Sequence, residues 1–169
     1  MALRIFAITL FVSAALFAPL MGTNTRSAAA ANGSPFAAPT PVTDADKALF
    51  SEYHGVKLGM AVADVRSKLG KAKDSSDQQD FYMMSDGETV QIVYEDQMVK
   101  GISATYLGAT AKPPTPISVF GTDAEVKPDG SINKMVRYPK AGYWVSYIRT
   151  GGEDPMVMIT LHKLQKGQL

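Results

Sequence analysis

Side chains able to do bond chemistry are sparse in this sequence. Its imidazoles are His54 and His162, and it contains no cysteine. A zinc site would have to recruit carboxylates, and no His-x3-His-type spacing starts one. A Ser-His-Asp triad is assembled in space rather than along the chain, but no Gly-x-Ser-x-Gly elbow is present to offer the serine. Asp74, Asp77 and Asp80 recur at every third position, a cluster that could hold Ca²⁺. The residue order and terminal glutamate of a calcium loop are missing, so a solvated polar loop is expected there.

Two further groups weigh the same way. Glu95-Asp96 and Glu153-Asp154 are adjacent acid pairs. Acidic residues suit turns, and neighbours in a turn seldom converge on one substrate. Arg66, Lys68, Lys71 and Lys73 gather basic charge, but at the end of a helix such charge complements the dipole on a solvated face. Neither glycine-rich phosphate-binding motif occurs. The sequence predicts no catalytic residue, no metal ligand and no cofactor. The aromatic group Tyr138, Tyr143, Trp144 and Tyr147 remains. Large aromatic residues dominate binding hot spots, so the chemistry to look for is surface recognition.

The elements that must carry these residues are readable from periodicity. Thr43 offers an N-cap hydroxyl, Asp44 and Asp46 occupy the first turn, and Gly55 suits a helix end, which predicts a helix over 44–54. Val62, Val65, Arg66 and Leu69 fall at i, i+3, i+4 and i+7, and Gly70 follows, so a second helix is predicted over 62–69. Strands rich in Val, Ile, Tyr and Met are predicted over 81–85, 89–94 and 99–106, with Asp86-Gly87 and 95–97 as their turns. After the 112–116 proline cluster comes a short helical turn over 117–120. Three more strands follow, over 132–138, 143–149 and 156–163.

The two strand regions resemble each other. Val90 matches Val145 at a spacing of 55, and Glu95-Asp96-Gln97-Met98-Val99 matches Glu153-Asp154-Pro155-Met156-Val157 at a spacing of 58. Leu69-Gly70 finds a counterpart in Phe120-Gly121 ahead of each set. The expectation is an α+β fold: N-terminal helices on one face of an antiparallel sheet of about six strands, built from two helix-plus-three-strand-meander repeats, with the other face open. Side chains alternate along a strand. Val90, Ile92 and Tyr94, with their counterparts Val145, Tyr147 and Arg149, are therefore assigned to the core. The open face is assigned Thr89, Gln91, Val93, Trp144, Ser146 and Ile148.

Ahead of this domain the composition changes. Met1 to Arg4 is a short basic start, 5–20 is almost wholly apolar, and 27–31 is small, which is the pattern of a cleaved secretory signal over 1–30. The apolar run is about 16 residues and holds Pro19, too short for a span. A Pro/Ala-rich linker is expected over 31–42, and a single domain over 43–164, with repeat one at 43–108 and repeat two at 115–164. Without cysteine there is no disulfide and no lipidated residue, so neither a membrane span nor a lipid anchor is expected in the mature form. Past residue 30, 15 basic residues face 16 acidic ones, which leaves no basic footprint for nucleic acid.

Val56-Lys57-Leu58-Gly59-Met60, then Val65, Leu69-Gly70-Lys71 and a strand meander, resembles the SmpA/OmlA (BamE-like) domain. That domain shares its layout with the tandem-repeat β-lactamase inhibitor protein. The resemblance implies an extracytoplasmic, non-enzymatic protein-binding module, periplasmic or secreted, whose partner is another extracytoplasmic protein. Its contact residues are expected at Trp144, Tyr143, Ser146, Ile148, Gln91 and Val93. The alternative is a small-ligand carrier with a pocket between helices and sheet.

Overall fold

The structure is a computed structural model that describes residues 47–108 and 110–165. The expected signal and linker lie outside the described residues, as do Thr43, Asp44 and Asp46.

The helix expected over 44–54 does not form in its described part. Residues 47–54 run without helix. Tyr53 and Val56 instead exchange backbone hydrogen bonds of 2.9 and 2.8 Å around His54 and Gly55, both at positive φ. The physical reason is that the donors of this segment are claimed by distant partners. Ala48 N–H donates to the Tyr143 hydroxyl at 3.1 Å, and Phe50 N–H to the Val119 carbonyl at 3.2 Å. Tertiary bonding overrides a short segment's helix propensity.

Helix α1 (Val62–Leu69) forms over the predicted span. Its Val62 and Val65 are buried, Asp64 lies in its first turn, and Gly70 ends it at φ 78°. Helix α2 (Pro116–Phe120) is one short turn, with Thr115 accepting from Ser118 N–H and proline at the start.

The strands are β1 (Asp74–Ser75), β2 (Gln79–Ser85), β3 (Glu88–Glu95), β4 (Met98–Tyr106), β5 (Ile132–Tyr138), β6 (Tyr143–Arg149) and β7 (Val157–Lys163). They make one open sheet of seven strands in the order β1-β2-β3-β4-β7-β6-β5, antiparallel throughout. The chain is thus α+β. The strand beyond the expected six is the two-residue β1 at the edge. The β2-β3-β4 and β5-β6-β7 meanders join where β4 pairs β7.

One face carries the core. Val90, Ile92, Ile102, Ala104, Val145, Ile159 and Leu161 are fully buried and cluster with Val65 and Val119. Each fully buried Val, Ile or Leu contributes roughly 1.5–3 kcal/mol relative to exposure. A bulge at Lys100 lets Val99 and Ile102 both face inward: Tyr94 pairs Val99 while Val93 pairs Gly101.

Candidate functional site

The face opposite the core is built by strand alternation. Its first row runs across the sheet through Gln79, Val93, Gly101, His162, Trp144 and Arg137, each the cross-strand partner of the next. The second row holds Phe81, Gln91, Ser103, Thr160, Ser146 and Met135, and the third includes Thr89, Met158 and Ile148. Nearly every position keeps some solvent exposure. The buried ones are Gly101 and Ser146, small residues flanked by larger neighbours. Met83 (56% exposed) and Ile148 (37%) are the most open apolar side chains here.

Trp144 and His162 stack with centroids 5.4 Å apart and planes 18° from parallel. The stack needs Gly101: a Cβ there would sit 2.6 Å from His162 Cδ2. His162 Nδ1 lies 2.7 Å from the Lys163 carbonyl. A carbonyl only accepts, so Nδ1–H is the donor. Polar pairs continue the surface. Gln91 Nε2 donates to Gln79 Oε1 at 2.7 Å, and the Ser103 and Thr160 hydroxyls lie 3.0 Å apart.

Of the residues expected at the contact surface, Trp144, Ser146, Ile148, Gln91 and Val93 lie on this one face. Tyr143 does not. It is buried on the core side, where its hydroxyl accepts from Ala48 N–H. Alternation from Val145 dictates this, since residues two apart share a face. Ser146 is on the face but only 6% exposed. Val93 and Trp144 are three strand steps apart, roughly 14 Å. Between them β4 and β7 supply Gly101, Ser103, Thr160 and His162, which sequence reasoning missed. The same alternation, counted from Ile102 and Leu161, would have found them.

The other candidates resolve differently. Asp80 is not in a solvated loop with Asp74 and Asp77. It is fully buried on β2, where Oδ2 accepts from Arg66 Nε (2.9 Å), Tyr94 (2.8 Å) and Tyr82 (3.2 Å), and Oδ1 from Arg66 Nη2 (2.9 Å). Burial alone would raise its pKa, but the Arg66 and Tyr94 bonds outweigh it and hold the carboxyl below its usual range. Burial and the adjacent Asp80 charge push Tyr82 up to about 12, and raise Tyr94 further. Tyr53 donates to Glu88 at 2.8 Å, and burial with that carboxylate raises it well above the usual phenol range. These phenols stay neutral donors near pH 7, and the Asp80 oxygens face protein, so the cluster anchors structure.

The acid pairs sit at opposite ends of the sheet. Glu95 faces the start of β4, and the turn holding Glu153 faces its end, where Tyr106 pairs Val157, roughly 27 Å of strand away. Among the described residues no group of three or more His, Asp or Glu side chains converges to hold a metal, and no helix is long and apolar enough to cross a membrane. No family model, no curated protein and no solved structure matches this chain, so its function is read from its geometry.

Proposed function

We propose that this chain is an extracytoplasmic, non-enzymatic binding protein that captures another protein on the open face of its sheet. The observation that carries the reading is the Trp144 indole, held flat by the His162 ring on a solvent-facing sheet surface. A rigid aromatic gives contact area at little entropic cost, and tryptophan and arginine are the residues most enriched in hot spots. Arg137 is the cross-strand neighbour of Trp144. Met83, Met158 and Ile148 add apolar surface, and methionine adapts to irregular partners. Gln91 and Val93 extend the surface across β3, and Ser146 is flat floor between its neighbours.

The apolar leader in 1–30 supports export to the periplasm or beyond, and the lack of cysteine supports a form without a lipid anchor. Two meanders, each preceded by a helix closed by a positive-φ glycine, Gly70 and Gly121, support a duplicated unit of the SmpA/OmlA type. Val62, Val65, Val119 and Phe120 share one cluster with the inner residues of the sheet, which supports helices that clothe one face and leave the other for the partner.

The test is affinity capture from the native envelope followed by reconstitution with the purified partner. Trp144→Ala is expected to weaken binding by about tenfold or more, the behaviour of a hot spot, with its circular dichroism unchanged. A folded Trp144→Ala variant that binds as well as the parent overturns the reading.

A further inference from the structure

We propose that a cavity on the core side of the sheet binds a small carboxylate with an apolar body. The cavity measures about 460 Å³, within the range of small-molecule sites. Its floor is one row across the sheet: Tyr106, Val157, Arg149 and Ile132 are successive cross-strand partners. Pro113, Pro114, Pro116 and Pro155 stand around it. Proline rings give apolar surface and no N–H donor, so the walls suit hydrocarbon.

Among the described polar side chains of this lining, Arg149 and Tyr147 are donors without a side-chain partner, whereas Thr115 Oγ1 accepts from Ser118 N–H. The Arg149 guanidinium has no hydrogen-bond or ion-pair partner among the described residues. Tyr147 is 3% exposed, and its hydroxyl also has no partner there. No described buried side-chain polar atom is left sealed without a partner, so that hydroxyl opens on the cavity it lines. The two residues are same-face neighbours on β6, roughly 7 Å apart along the strand. The Arg149 charge acts on Tyr147, opposing the rise that burial gives its phenol.

A guanidinium fork beside a phenol donor matches a carboxylate, which accepts two parallel bonds from arginine. Glu153 and Asp154 also line the cavity and are exposed. Their charge opposes added negative charge, so the ligand's one carboxylate must sit at Arg149 and away from them, and a dianion is disfavoured more strongly. The site lies behind the face that carries Trp144 and does not depend on it.

The test uses octanoate and 4-phenylbutanoate, with their uncharged amides, titrated into the whole chain and followed by backbone NMR shifts. Saturable shifts are expected at Ile132, Tyr147, Arg149 and Val157, with the carboxylates about tenfold tighter than the amides, as a charge-assisted bond implies. Arg149→Gln is expected to remove that preference and leave amide binding unchanged. Arg149→Lys keeps the charge but not the fork and Tyr147→Phe loses the phenol donor, so each is expected to weaken the carboxylates several-fold. These two variants carry the test should Arg149→Gln lose its native spectrum. Equal affinity for acid and amide, shifts confined to other surfaces, or variants that bind like the parent overturn the proposal. Trp144→Ala is expected to bind the carboxylates unchanged, which separates this site from the sheet's other face.

Discussion

Arg66 of α1 and Asp80 of β2 meet through two hydrogen bonds of 2.9 Å, Nε to Oδ2 and Nη2 to Oδ1. The same Nη2 reaches the Ser76 carbonyl at 2.9 Å. One bidentate pair thus fixes the helix, the strand and the loop before it. Asp80→Ala is expected to leave the Tyr82 and Tyr94 hydroxyls without their acceptor. Each unsatisfied buried group costs ~1–3 kcal/mol, so a loss of about 2–6 kcal/mol is expected. Urea denaturation measures it, and a loss below about 1 kcal/mol would show the network to be dispensable.

The same cluster sets the pH range of stability. The Asp80 pKa is lowered on folding. Its stabilisation is therefore full above the unfolded value near ~3.9 and is lost as pH falls through the lower folded value. Tyr82 is raised to about 12. Its contribution is full below the unfolded value of ~10 and is lost as pH rises through 12. Urea midpoints are expected to hold between these limits and fall outside them. On the alkaline side, tyrosinate absorbance is expected to rise in two stages, the later one together with loss of near-UV circular dichroism.

Gly101 and Gly151 are expected to respond differently to alanine. At Gly101 the new Cβ meets the His162 side chain at 2.6 Å, and an imidazole can rotate away. The expected result is a loss of about 1–3 kcal/mol with a red shift of emission from the single tryptophan, whose covering ring has moved. At Gly151 the Cβ meets the Asp129 carbonyl at 2.5 Å, and backbone cannot step aside. A loss of about 1–3 kcal/mol is expected there, with the emission unchanged. Thermal melts with fluorescence separate the two.

Tyr143→Phe tests the division between the faces. Its hydroxyl accepts the Ala48 N–H, so removing it is expected to cost about 1 kcal/mol in urea denaturation. Partner capture is expected to be unchanged, in contrast to Trp144→Ala. Equal loss of capture in both variants would place the contact surface elsewhere.

Much of the sheet is legible in the sequence because period-2 alternation is a local signal. Val90, Ile92, Val145 and Tyr147 face inward as alternation requires. Helix α1 is legible because apolar spacing and Gly70 agree. What escapes is whatever depends on residues far along the chain. The 47–54 segment carries helical residues, yet its donors go to Tyr143 and Val119. Asp80 looks like a loop carboxylate until Arg66, Tyr82 and Tyr94 are seen around it. The Trp144–His162 stack pairs residues 18 apart in sequence, brought together by the β6–β7 register.

The placement of β4 against β7 also orders assembly. Each meander pairs strands joined by short turns, whereas Gly101 to Tyr106 must find partners in Val157 to His162, across a loop of about 50 residues or more whose closure entropy falls on this one ladder. The two half-sheets can therefore zip independently. Bringing them edge to edge along that seam is expected to be the slow, nonlocal event, and until it happens each half would expose an unpaired margin of backbone.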